Sequence, residues 1–228
     1  MLLHVPQVLS KSQVSGFRAR LASADWMDGR ITAGHQSALA KHNLQLRETH
    51  PIARELGAAV LEALNLSSLF FSAALPRHVF PPLFNCYRVG NGFGNHVDNA
   101  IRYDRTTQAA PPLRTDLSVT LFLSSPDEYD GGELVIENPD GTHRVKLPAG
   151  DMVLYPSTSI HRVEPITRGE RLASFFWVQS MLRDGGERRL LFDLDGAIQK
   201  LNRDTATHPA MVELVGVYHN LLRRWAEV

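Results

Sequence analysis

From about residue 78 to residue 180 the chain is a run of short apolar segments separated by turn residues, with no helical periodicity between them. Segments 83–89, 117–123, 133–137, 142–147, 152–155, 162–166 and 172–179 read as strands, and another short strand starts at His96. The separators are rich in glycine: the stretch Gly90 to Gly94, then Asp130-Gly131-Gly132, Asp140-Gly141, Ala149-Gly150-Asp151 and Arg168-Gly169. Asp-Gly tolerates the positive φ angles of a tight hairpin turn, so Asp140-Gly141 marks a hairpin. About eight closely spaced strands with no room for crossover helices pair antiparallel and close as a barrel or sandwich.

Helical patterns flank this core. Ser10 is placed to cap a helix from Lys11 to about Ala24, with Val14, Phe17 and Leu21 at helical spacing. A second helix spans about 51–64, with Pro51 in its first turn and Ala53, Leu56, Ala59, Val60, Ala63 and Leu64 as its buried stripe. Beyond Arg183 one stripe runs through Leu190, Leu191, Leu194, Ile198 and Leu201. A second runs through Met211, Leu214, Val215, Tyr218, Leu221, Leu222 and Trp225. The expected plan is mainly β with flanking helices: an N-terminal α/β segment (1–77), a β core (78–180) and a C-terminal helical segment (181–228) that caps the core or forms a homodimer. Residues 99–114 read as a long polar loop with Pro111-Pro112 near its end, a length at which loops often bind ligands.

The chain has 228 residues, 24 Lys plus Arg and 24 Asp plus Glu, so no bulk charge favours nucleic acid or an anionic membrane. The single cysteine, Cys86, excludes an internal disulfide and a thiolate-rich zinc site from one chain. Residues 1–10 lack a cationic leader and read as a first strand, and no apolar run reaches the roughly 18 residues of a membrane span. A cytoplasmic protein with no nucleic-acid or membrane partner is expected.

The chemistry concentrates in four residues. In extended chain, residues i and i+2 point the same way, so His96 and Asp98 can reach one metal ion while Val97 faces away. His161, 65 residues after His96, begins a strand and can supply a third ligand. Two imidazoles and a carboxylate suit Fe(II), Mn(II), Co(II) or Zn(II), and on one face of an octahedral ion they leave three positions open. Arg171, ten residues after His161, opens the last core strand. Its planar guanidinium matches a carboxylate in a two-pronged fork. Together these suggest an iron site that takes a 2-oxo dicarboxylate and dioxygen. Tyr87 is placed to add a hydroxyl beside Arg171, or to serve as a core tyrosine. His143, Cys86, the Ser157-Thr158-Ser159 turn and the Asp193/Asp195 pair read as structural or solvated.

These motifs form a longer pattern. Tyr87-Arg88-Val89-Gly90, His96-Val97-Asp98, Gly131-Gly132-Glu133, Gly150-Asp151-Met152-Val153-Leu154-Tyr155-Pro156, His161-Arg162-Val163, Thr167-Arg168-Gly169-Glu170-Arg171 and Phe175-Phe176-Trp177-Val178-Gln179-Ser180 resemble the bacterial PKHD-type (prolyl/lysyl hydroxylase domain) Fe(II)/2-oxoglutarate dioxygenases. The resemblance implies a double-stranded β-helix (jelly-roll, cupin-like) core, His96, Asp98 and His161 as iron ligands, Arg171 as the 2-oxoglutarate anchor and L-ascorbate as a reductant. It also implies hydroxylation of a small-molecule or peptidyl substrate, with release of succinate and carbon dioxide. Two positions depart from prolyl hydroxylases: Arg171 stands where collagen-type enzymes use lysine, and Phe93 where tyrosine is common. Two rival readings remain: a β-barrel metalloprotein without a 2-oxo acid, and a non-catalytic sensor of iron or 2-oxoglutarate.

Overall fold

Strand Leu117–Phe122 is buried at every position, because it sits inside a sheet covered on both faces. Alternate side chains then face different layers. Val119 and Leu121 meet a helical layer, whereas Ser118 and Thr120 line an interior pocket. The same alternation runs along strand Arg171–Ser180. Leu172, Phe176 and Val178 face the helices, while Arg171, Phe175 and Trp177 face the pocket.

The computed structural model describes the chain except residues 33, 34, 105, 106, 108, 110, 139, 140 and 206; for residues 31, 32 and 35–37 it describes the backbone alone. Two antiparallel sheets dominate. The larger, eight-stranded one runs Leu3–Val5, Met152–Pro156, Leu117–Phe122, Arg171–Ser180, Leu83–Tyr87, Leu44–Gln45 and Met27–Asp28, with Pro76–Val79 also on the long Arg171–Ser180 strand. The smaller, five-stranded one runs Gly141–Val145, Leu134–Asn138, Ile160–Val163, Gly92–His96 and Lys41–His42. Tyr87, Phe122, Val153 and Tyr155 from the large sheet pack with Leu134, Ile136, Val145 and Val163 from the small one. Two sheets joined by this interior make a jelly-roll, the expected double-stranded β-helix.

The outer face of the large sheet is covered by helices. Lys11–Ala22 starts at the Ser10 cap, where Ser10 and Gln13 satisfy each other's backbone N–H groups. It buries Val14, Phe17 and Leu21 and stops two residues short of the expected end. Pro51–Asn65 has Pro51 in its first turn, as expected, and buries Ile52, Leu56, Val60 and Leu64. The C-terminal helices Gly185–Thr205 and Ala210–Trp225 form a hairpin whose Tyr218, Leu221, Leu222 and Trp225 pack on buried Leu75, Leu182 and Leu191. Leu190 and Leu201, expected in the same stripe as Leu191, are exposed. No single helix among the described residues is long and apolar enough to cross a membrane.

Several expectations need correction. Residues 99–114 are not a plain loop, because Ile101–Tyr103 and Pro112–Arg114 pair antiparallel. The segment expected as one strand over 162–166 is two strands, Ile160–Val163 and Ile166–Gly169, which belong to different sheets. Helix Ser68–Ala74, capped by Ser67, has no counterpart in the sequence reading. Asp195 is not simply solvated, since it accepts a 2.5 Å hydrogen bond from Ser72. The Asp140 turn lies outside the described residues, but its flanking strands pair from Asn138↔Gly141 onward, as a hairpin requires.

Candidate metal centre and cosubstrate pocket

His96 and His161 reach each other because their strands are neighbours: Gly92–His96 pairs with Ile160–Val163 in the register His161↔His96. Asp98 is not on a strand, contrary to the expectation that His96 and Asp98 begin one. His96 ends its strand, and Asp98 follows in irregular chain. The carboxylate still turns toward the two rings. One ligand atom from each of the three residues lies within 4.8 Å of the others, with Asp98 Oδ2 3.7 Å from His161 Nε2.

The hydrogen bonds set up both imidazoles for a metal. His96 Nδ1 lies 2.8 Å from the Gly94 carbonyl, and His161 Nδ1 3.0 Å from the Ser159 carbonyl. A carbonyl accepts only, so each Nδ1 carries the proton, and Nε2 is the nitrogen left for a metal. Ser118 Oγ donates to Asp98 Oδ2 at 2.6 Å and is joined to Ser157 Oγ at 2.7 Å. Phe93 stacks on His96 with ring centres 3.6 Å apart. Burial, with the His161 ring next, pushes the His96 pKa down to about 4, so this imidazole is neutral at physiological pH. Two imidazoles whose Nδ1 atoms are committed to carbonyls, together with an oriented carboxylate, fit a divalent cation.

Arg171 lies in the same pocket as the triad. It is 1% exposed, carries no ion pair among the described residues, and its Nε makes no hydrogen bond. The guanidinium rests between the rings of Tyr87 and Phe122, 5.4 and 5.1 Å from their centres. Tyr87 sits directly across the ladder from Arg171, and burial raises its pKa. A buried guanidinium in this state is costly unless an anionic ligand completes it, and a dicarboxylate cosubstrate fits that need.

The sequence reading missed residues that the fold brings to this pocket. Ser118 signals itself only as a polar side chain at an alternate position of an apolar strand. Lys41, Asn85, Arg102 and Trp177 come from four different strands, and no local motif links them. Burial, followed by the charge of Arg102, lowers the Lys41 pKa to about 8.

Residues 82–179 match the 2OG-Fe(II) oxygenase superfamily, and residues 185–227 match the PKHD-type hydroxylase C-terminal domain. A PKHD-type hydroxylase of Xanthomonas euvesicatoria pv. vesicatoria is 65% identical, and one of Pseudomonas fluorescens 59%, each over the full length of both chains. Among solved structures, a Pseudomonas putida prolyl-4-hydroxylase is 20% identical with a TM-score of 0.54, covering 78% of this chain and 92% of its own. HygX from Streptomyces hygroscopicus, solved with nickel, 2-oxoglutarate and hygromycin B, is 15% identical with a TM-score of 0.53, covering 79% of this chain and 84% of its own. Those two likenesses bear on the jelly-roll alone, whereas the full-length identities reach the whole molecule. The chain belongs to the PKHD-type hydroxylases, and is a 2-oxoglutarate- and Fe(II)-dependent dioxygenase.

Proposed function

We propose that this enzyme hydroxylates a C–H bond of its substrate while 2-oxoglutarate is split to succinate and carbon dioxide. One oxygen atom of dioxygen enters succinate and the other enters the substrate. His96, Asp98 and His161 would hold the iron, which when bound would supply the redox chemistry for activating dioxygen. The chain's own residues bind and orient. Gly94 and Ser159 carbonyls fix the two imidazoles, and Ser118 fixes the Asp98 carboxylate. Arg171 takes the distal carboxylate of 2-oxoglutarate, with Tyr87 beside it to donate a further hydrogen bond. Phe122, Tyr155 and Val163 keep this end of the pocket dry.

The observation that carries this reading is Arg171: a buried guanidinium without an ion pair among the described residues, in one pocket with a two-histidine, one-carboxylate cluster. The test is anaerobic titration of the Fe(II)-loaded protein with 2-oxoglutarate, followed by assay of succinate once oxygen is admitted. Wild type should bind the cosubstrate and release succinate. Arg171→Ala should bind iron normally yet lose about 100- to 1,000-fold in 2-oxoglutarate affinity, the scale of a buried charged pair broken on one side. Full cosubstrate affinity in Arg171→Ala sinks the assignment.

A further inference from the structure

The pocket has a second cationic end. Lys41 and Arg102 line it together with the metal residues and Arg171. Lys41 lies on Lys41–His42, before the β core, and Arg102 on Ile101–Tyr103, four residues after Asp98. Both reach the aromatic side chains of strand Arg171–Ser180. The Arg102 guanidinium is 4.0 Å from the Trp177 ring centre, and Lys41 Nζ is 5.7 Å from that of Phe175. Phe175 and Trp177 pack edge to face with centres 5.6 Å apart, so the two cations stand over one continuous aromatic floor. Phe175 is four residues along the strand from Arg171, about 13 Å of backbone at the usual rise, so the aromatic floor and Arg171 stand at different heights along the strand.

The charge of the lining is one-sided. It holds three Lys and Arg side chains (Lys41, Arg102 and Arg171) against one carboxylate, Asp98, which belongs to the metal cluster. Glu48, 3.7 Å from Arg102, stands outside the lining. Low-dielectric walls with one sign of charge focus the field and draw in ligands of the opposite sign. Asn85 lies on the same wall, and its buried amide oxygen makes no hydrogen bond, which leaves an acceptor for a ligand O–H or N–H.

We propose that the substrate carries a carboxylate, bound by Lys41 and Arg102 above Phe175 and Trp177, with its apolar body extending toward the metal residues. A carboxylate fits better than a phosphate monoester, because Arg102 already shares its charge with Glu48 and the pair balances about one negative charge. This assignment rests on Arg171 being the anchor of 2-oxoglutarate, which leaves the other end to the substrate.

The test uses the full chain loaded with Ni(II) and 2-oxoglutarate, so that nothing turns over. Phenylacetate, hexanoate and mandelate are titrated by calorimetry, each against its own neutral amide. At least one acid should bind about tenfold more tightly than its amide, and the preference should shrink at high salt. Lys41→Met and Arg102→Gln should lose the preference, while Lys41→Arg keeps it. All three variants should bind 2-oxoglutarate as wild type does, which also reports that they fold. Equal binding of acids and amides, no binding of any acid, or a preference retained in both neutral variants overturns the proposal. Loss of 2-oxoglutarate affinity in Lys41→Met and Arg102→Gln also overturns it, since the cations then serve the cosubstrate. If wild type prefers the acids but binds no 2-oxoglutarate, the anionic subsite is supported and the Arg171 reading fails by itself.

Discussion

His96 gives the metal-free protein a distinct pH dependence. Its folded pKa is depressed to about 4 from the ordinary 6.5, chiefly by burial. As pH falls below 6.5, the unfolded chain takes up a proton that the folded site refuses, so stability present above that pH is lost toward pH 4. The slope for one such group is about 1.4 kcal/mol per pH unit, and the whole loss is on the order of 3 kcal/mol. Melting of the metal-free wild type and of His96→Gln from pH 7.5 to 4.5 checks this. Wild type should lose stability faster than the variant, whereas parallel curves would show that burial does not depress His96. Ser118 donates to Asp98, the proposed metal ligand, and through it would support the metal. Ser118→Ala should weaken metal binding about 10- to 100-fold in chelator competition, and unchanged affinity removes Ser118 from the metal's support. At this scale the triad and Arg171 were legible, because each sits in a short motif with a fixed spacing. Ser118, Lys41 and Arg102 were not, because what makes them matter is a contact made across the fold.

Elements were legible where local chemistry decides them. The Ser10 cap and the Val14, Phe17, Leu21 stripe mark Lys11–Ala22, and the apolar runs mark the strands of the large sheet. They were less legible where tertiary pairing decides. The two-residue strands Lys41–His42 and Leu44–Gln45 exist because the edges of Gly92–His96 and Leu83–Tyr87 are there to receive them. The ladder of Ile101–Tyr103 with Pro112–Arg114 likewise survives in a polar stretch with no strand pattern. The C-terminal hairpin shows how burial sorts a stripe that looks uniform in sequence. Leu191 is fully buried against Leu75 and Leu182, whereas Leu190 is 62% exposed. Leu191→Ala should cost about 2–5 kcal/mol and lower the melting temperature by roughly 5–15 °C. Leu190→Ala should stay within about 0.5 kcal/mol of wild type. Equal effects in denaturant unfolding would mean that the hairpin packs through another face.

At the scale of the molecule, strand Arg171–Ser180 ties the layers together. It pairs with Leu117–Phe122, Leu83–Tyr87 and Pro76–Val79, faces the helices with Phe176 and Val178, and faces the pocket with Arg171 and Trp177. A buried guanidinium with no ion pair among the described residues is a local cost in the ligand-free fold, and under the proposed reading a cosubstrate carboxylate would remove that cost. Ligand binding should therefore stabilise the whole jelly-roll, because the group it completes belongs to the central strand. With Ni(II) bound and 2-oxoglutarate at about 100 times its dissociation constant, the gain should be about 2.7 kcal/mol. For a chain of this size that is a rise in melting temperature of roughly 5–10 °C. Arg171→Met keeps much of the side-chain volume and removes the charge. It should show no rise with 2-oxoglutarate, yet without ligand it should melt no lower than wild type. A ligand-free Arg171→Met that melts several degrees lower would show that Arg171 already has a stabilising partner inside the fold, and would separate its structural role from cosubstrate binding.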